Sequence, residues 1–354
     1  MPDNKVQAAI ANWAPRFTSQ GVDYNDFIAV TSRIEKWEQW LDAWVANGDM
    51  HHGLGVAAQE QGNALTAGQA FVRAALSYHF AKFVWMVDMA KYRQAADKAV
   101  QSLYAAHRVL DPTAERVEAP LDASIMVANL RRPLGSNSPP LVILLPGLDS
   151  TKEEFYNWEN VFLDRGMATL SMDGPGQGET GYNTYIRADY NVAVTAMLDT
   201  IRKRDDIDQK RIGVVGVSMG GYYAPRAAAF EPRLKAVAAI GGPYNFGDCW
   251  PQLPIITRES FIHHSGAATE EQAREIASSL DLSSVLPKVS QNFLVVFGKL
   301  DRLIPWKQAE QVAAEAPHAE LVMYEDGNHV CNNIPYKYRP LVADWMREQL
   351  ANVG

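Results

Sequence analysis

Six short apolar runs follow residue 112, and together they limit this chain to a small set of folds. They are Leu141–Leu145, Ala168–Met172, Ile212–Gly216, Ala236–Ile240, Phe293–Phe297 and Leu321–Tyr324. A strand in a two-layer antiparallel sheet alternates apolar and polar residues, whereas a strand covered on both faces reads as a continuous apolar run. Between most of these runs lie stretches of helical spacing, such as Asn191–Lys203 and Gly220–Phe230. Strands alternating with helices predict a doubly wound α/β fold with a mostly parallel sheet. Val117–Leu130 reads as one or two further strands broken at Pro120. One connection is too long for a simple crossover: residues 243–290 carry their own helical pattern at 270–280 and read as a small helical cap insertion.

Before Pro112 the pattern is helical. Phe27, Val30, Ile34, Trp37, Leu41 and Trp44 follow one another at three- and four-residue steps, which predicts one helix over 27–47. Further helices are expected over 65–89 and 89–110, the last stopped by Asp111-Pro112. The aromatic residues on these helices, at helical spacing, read as core. The expected organisation is therefore a helical domain over 1–112 and an α/β domain over 113–354.

Composition narrows the partners. Lys+Arg number 33 against 41 Asp+Glu, a net charge of −8 with no basic block, which argues against nucleic acid and anionic membranes. No apolar run approaches membrane-spanning length, and the N-terminal residues lack the apolar core of a signal peptide. The two cysteines, Cys249 and Cys331, do not make a disulfide framework and have no histidines at zinc spacing. These features predict a soluble, cytoplasmic protein acting on a small molecule, with no metal and no organic cofactor.

The chemistry-bearing motif is Gly216-Val217-Ser218-Met219-Gly220, placed between a buried strand and a small-residue helix. A serine on so tight a turn needs glycines around it, and the turn presents the hydroxyl at the sheet's C-terminal edge beside a helix N-terminus. A serine nucleophile needs a base and an acid that orients the base. Asp301 follows the run 293–297, and His329 follows 321–324 in a Gly-Asn turn; the order Ser, Asp, His and the strand-end positions suit a catalytic triad. Asp326 and Asp248 compete with Asp301, and His318, His263 and His264 read as solvent-facing alternatives to His329. The backbone N–H groups of Met219 and of Leu148, with Gly147 as the alternative to Leu148, are the expected oxyanion donors. Residues 173–181 contain a formal Gly-x-Gly-x-x-Gly, but no helix opens at its glycines, so it reads as a loop on the active-site side rather than a dinucleotide site.

The elbow, the Asp-Gly-Pro-Gly-Gln-Gly stretch at 173–178 and the Pro-Gly-Leu-Asp-Ser-Thr-Lys-Glu-Glu stretch at 146–154 resemble α/β-hydrolases that carry an N-terminal helical domain. The likeness extends to 12–17 and 22–27, and its nearest branch contains carbon–carbon bond hydrolases of bacterial nicotine breakdown. This resemblance implies cleavage of a C–C bond beside a ketone by Ser218, Asp301 and His329, a homodimer, and a helical domain that helps close the active site. The branch carries a substrate-binding glutamate soon after the strand that follows the elbow helix; the nearest acid here is Asp248, one methylene shorter. Trp250 is a further substrate-binding candidate by position, and Phe261 lies in the same cap. An esterase or amidase acting on small aromatic substrates, and an inert binding or scaffold protein, are the alternative readings.

Overall fold

The structure, a computed structural model, describes residues 2–351. Two compact units divide the chain: one comprises Met1–Ala114, Glu153–Asn157 and Pro254–Ser260, the other Glu115–Lys152, Trp158–Leu253 and Phe261–Gly354.

The first unit contains α1 (Asn4–Gln20), α2 (Tyr24–Thr31), α3 (Trp40–Glu60), α4 (Ala64–Ala81) and α5 (Met89–Leu110). Asp3 caps α1 through the Val6 N–H and also accepts the Trp37 N–H, which ties the start of the first helix to the turn before α3. The single helix expected over 27–47 is interrupted: α2 ends at Thr31, and a short turn at Trp37–Gln39 precedes α3. Polar groups make the break. The Thr31 hydroxyl donates to the Phe27 carbonyl, and the Gln39 amide oxygen accepts the N–H groups of Glu35 and Lys36. The six stripe residues are nonetheless all buried. The helix expected over 65–89 likewise ends early, at Ala81, with Val84 in the left-handed region at φ 44°.

Phe17 centres the core of this unit, stacked on Phe80 at 3.9 Å and edge-on to Phe27, Trp40 and Phe83. The indole N–H groups of Trp40 and Trp85 donate to the carbonyls of Phe80 and Trp37, so these rings are core. Buried among the helices, Glu154 accepts from Arg16 Nε (2.7 Å) and Nη2 (2.6 Å) and from the Gln20 amide (3.1 Å), with His79 Nε2 at 3.0 Å.

The second unit is built on one sheet of eight strands: β1 (Glu115–Leu121), β2 (Ser124–Arg131), β3 (Leu141–Leu145), β4 (Ala168–Asp173), β5 (Ile212–Val217), β6 (Leu234–Ile240), β7 (Asn292–Gly298) and β8 (Ala319–Tyr324). Their order is β1-β2-β4-β3-β5-β6-β7-β8; β1, β2 and β4 pair antiparallel and every later pairing is parallel. The expected doubly wound, mostly parallel sheet is what forms. The break expected at Pro120 falls instead at the Asp122-Ala123 turn, because Pro120 lies inside edge strand β1, where a missing N–H costs little. β3 to β5 are buried throughout, whereas β8 closes the other edge and is only partly buried.

The remaining helices are α6 (Tyr156–Leu163), α7 (Asn191–Ile201), α8 (Gly220–Phe230), α9 (Ile255–Ser265), α10 (Glu270–Ser279), α11 (Lys307–Glu315) and α12 (Pro335–Ala351). Register carries the functional consequence. Leu145 lies beside Gly216, Val217 beside Ile240, and Gly298 beside Tyr324. The parallel strands therefore end level, and the loops after β3, β5, β7 and β8 leave the sheet along one edge.

Candidate active site

Ser218 occupies the turn between β5 and α8 with φ 54°, a left-handed conformation that is uncommon for a non-glycine residue and costs about 1–3 kcal/mol. The glycines around it leave no room for side chains. A Cβ on Gly216 would sit 1.8 Å from the Gly220 carbonyl oxygen, and one on Gly220 would sit 2.1 Å from that of Leu145. The Ser218 N–H donates to the Ile240 carbonyl, and the Ser218 carbonyl accepts from Gly221, so the strained turn is fixed from both sides.

His329 Nε2 lies 2.9 Å from Ser218 Oγ, and its Nδ1 lies 2.7 Å from Asp301 Oδ2. The Asp301 side chain is fully buried, and its other oxygen accepts the N–H groups of Leu303 (2.8 Å) and Ile304 (3.0 Å). With Asp301 accepting at Nδ1, the imidazole carries its proton there and turns the lone pair of Nε2 to the serine hydroxyl. The loop that carries His329 is held by reciprocal bonds between Asn328 and Asn333 and includes Val330 at φ 58° and Cys331 at φ 54°. Burial pushes the Cys331 thiol up to about 12, so no thiolate competes with the serine nearby.

The competing candidates lie elsewhere. Asp326 is ion-paired with Lys337 on the surface. His318 and His263 are exposed, whereas His264, expected to face solvent, is buried within the cap, where its carbonyl accepts the Ile186 N–H. Asp248 is exposed on the turn Gly247–Gln252. Trp250 on the same turn is buried; its indole N–H donates to Glu270, and its ring packs edge-on to Phe261.

Both backbone positions expected to supply oxyanion donors are buried, Met219 at the start of α8 and Leu148 after β3. The β3 loop runs directly against Ser218: a Cβ on Gly147 would lie 3.1 Å from Ser218 Cβ and 3.4 Å from Oγ. The stretch 173–181 folds as a loop, and the next full helix starts only at Asn191. Within it Gln177 is buried, its amide nitrogen 2.8 Å from the carbonyl oxygens of both Pro146 and Gly147. Gln177 Oε1 accepts from the Gly174 N–H (3.1 Å) and the Tyr190 hydroxyl (2.8 Å). Burial, then the nearby Tyr223 and Asp173, hold the Tyr190 phenol well above its ordinary range, so it remains a donor. Below this loop, Lys152 donates its ammonium to Asp173 (2.9 Å) and Glu179 (2.6 Å), so these two carboxylates have a resident cation. Sequence reasoning missed Gln177, Tyr190 and Lys152; Gln177 lies in the Asp-Gly-Pro-Gly-Gln-Gly stretch and Lys152 in the stretch 146–154, whereas Tyr190 lies in neither.

The fold agrees with that of known proteins. The family described as "Esterase FrsA-like" matches residues 18–246, and the prolyl oligopeptidase family matches residues 154–353. The chain is 35% identical to 2,6-dihydropseudooxynicotine hydrolase of Paenarthrobacter nicotinovorans, over 98% of this chain and 94% of that one. It is 30% identical to hydrolase acrC of Aspergillus aculeatus over 64% of this chain, spanning 59% of that protein's length. Among solved structures, that of 2,6-dihydroxy-pseudo-oxynicotine hydrolase superposes with a TM-score of 0.88 at 34% identity, covering 96% of each chain. AbyA5 shares the fold over 99% of each chain, with a TM-score of 0.77 at 17% identity. Among the described residues, no helix is long and apolar enough to cross a membrane. The chain is a hydrolase and belongs to the α/β-hydrolase family.

Proposed function

We propose that this hydrolase cleaves the carbon–carbon bond between a ketone carbonyl and a hydroxylated aromatic ring, with Ser218 as nucleophile, His329 as base and Asp301 as its orienting acid. The observation that carries the reading is the unbroken chain of contacts from Ser218 Oγ through His329 to a buried Asp301. The likeness to 2,6-dihydropseudooxynicotine hydrolase over nearly the whole chain supports the substrate class.

His329 Nε2 takes the hydroxyl proton as Ser218 Oγ bonds to the ketone carbon, and the backbone N–H groups of Met219 and Leu148 receive the oxyanion. Collapse of the tetrahedral intermediate breaks the bond to the ring. The bonding pair passes to the ring carbon, which takes the proton from His329. A ring hydroxyl beside the reacting carbon makes this departure feasible, because its oxygen shares the charge that develops in the ring as that carbon takes the one proton and the bond breaks. Water, deprotonated by His329, then releases the acyl group. The balance is one ketone and one water giving one hydroxyarene and one carboxylic acid. Asp248 is assigned to hold the ring hydroxyls, and the enzyme acts as a homodimer without a metal or organic cofactor.

A simpler reading, an esterase or amidase, is favoured by the match to an esterase family, since an ester supplies a better leaving group. Turnover of hydroxylated aryl ketones against esters of the same acyl group separates the two. The proposal expects ketone cleavage with release of the hydroxyarene; ester hydrolysis with no ketone cleavage would leave the esterase reading standing.

A further inference from the structure

We infer that Gln177 is a positioning residue that sets the oxyanion hole by holding the carbonyls of Pro146 and Gly147 to one side of the β3 loop. The inference rests on the proposal that Ser218 is the nucleophile. A primary amide has two donor hydrogens and one acceptor oxygen, and here all of them are used. Nε2 gives one N–H each to the Pro146 and Gly147 carbonyls, and Oε1 takes the Gly174 N–H and the Tyr190 hydroxyl. Reversing the amide would set its oxygen against two carbonyls and its N–H groups against an N–H donor, so the partners fix its orientation.

The consequence follows from the planarity of the peptide. In a trans peptide the carbonyl of one residue and the N–H of the next point in opposite directions, and the chain has no cis bond among its described residues. Drawing the Gly147 carbonyl toward Gln177 therefore turns the Leu148 N–H away from Gln177. The Pro146 carbonyl does the same for the Gly147 N–H. These are the two N–H groups of the loop expected to serve as oxyanion donors, and Gly147 lies directly against Ser218. The amide is braced by Tyr190, whose ring stacks on Tyr223 at 3.8 Å with an interplanar angle of 9°. Tyr223 lies in α8, the helix that follows the nucleophile, so one buried stack connects the two halves of the oxyanion hole.

The test uses Gln177→Glu and Tyr190→Phe with a p-nitrophenyl ester, and fluorophosphonate labelling of the wild-type enzyme as control. Gln177→Glu keeps the acceptor for Gly174 and Tyr190 but loses both donors to the carbonyls. It should lower kcat about 10- to 100-fold with KM within about twofold, because the loss falls on the transition state alone. The ratio of variant to wild-type kcat should rise as pH falls, since protonation gives the introduced carboxyl one donor for a carbonyl. Tyr190→Phe frees the amide to rotate and should lower kcat about three- to tenfold, again without moving KM. Unchanged kcat in either variant overturns the inference. So does a parallel loss of kcat, KM and thermal stability with no pH dependence of the ratio. If Gln177→Glu does not fold, Tyr190→Phe decides alone. Wild-type protein that is not labelled at Ser218 sinks the nucleophile proposal, and this inference with it; labelled wild type with unchanged variants sinks only this inference.

Discussion

Asp301 holds His329 Nδ1 at 2.7 Å with one carboxylate oxygen while the other is bound by the N–H groups of Leu303 and Ile304. The backbone thus fixes the acid, and the acid fixes the imidazole. Asp301→Asn keeps an oxygen for the two N–H groups but turns an amide N–H toward Nδ1, which forces the proton onto Nε2, where the serine needs an acceptor. On the proposed roles, kcat should fall about 10³- to 10⁴-fold. Steady-state kinetics beside a thermal melt check it, with a melt close to that of the wild type.

Gly147 offers a steric test of the loop opposite Ser218. A methyl group there would stand 3.1 Å from Ser218 Cβ and 3.4 Å from Oγ, so either the loop or the serine must move by a few tenths of an ångström. Gly147→Ala should cost about 1–3 kcal/mol of stability at most and lower kcat/KM about tenfold or more. Denaturant melts together with ester kinetics separate the two effects.

How far these relationships could be read in advance depended on sequence distance. Gly216 and Gly220 flank Ser218 in a turn whose crowding is local, so the elbow was legible from five residues. Asp301 and His329 were legible because parallel strands that end level bring distant loops to one edge. The stripe from Phe27 to Trp44 identified buried residues correctly, yet the helix break at Ser32–Lys36 came from Thr31 and Gln39 bonding to the backbone, which periodicity does not register. Gln177 was visible only as part of a glycine-rich loop, because its partners are thirty residues earlier and are backbone carbonyls without side-chain identity.

The buried carboxylate in the helical unit predicts an acid-sensitive stability. Burial alone would raise the pKa of Glu154, but the Arg16 charge and the bonds from Arg16 and His79 hold it well below its ordinary value. A folded pKa below the unfolded one adds stability that is complete above the unfolded value of about 4.5 and is lost as pH falls from there toward the folded pKa. The wild-type melting temperature should therefore drop between pH 5 and about 3 more steeply than that of Glu154→Gln. At pH 7 the variant should be about 3–5 kcal/mol less stable, because Arg16 is left buried without its partner charge. Melts across that pH range give both numbers.

Asp248 tests substrate choice separately from the serine chemistry. It is exposed on its turn. If it binds ring hydroxyls, Asp248→Ala should raise KM for a hydroxylated aryl ketone about tenfold or more, in line with a lost charge-assisted hydrogen bond of about 1.5–3 kcal/mol. Hydrolysis of an ester without ring hydroxyls should stay within about twofold of wild type on the same argument. Equal effects on both substrates would remove Asp248 from ring recognition.

On the proposed mechanism Ser218 takes the acyl group from a ketone as the bond to the ring breaks. Rapid-quench mass spectrometry of the enzyme with a hydroxylated aryl ketone tests it most directly. A transient adduct on Ser218 with the mass of the acyl fragment is expected, formed together with one equivalent of free hydroxyarene and absent in Ser218→Ala, which should not cleave the ketone. Ketone cleavage by Ser218→Ala at the wild-type rate, or product release with no acyl adduct on Ser218 at any time, would contradict it.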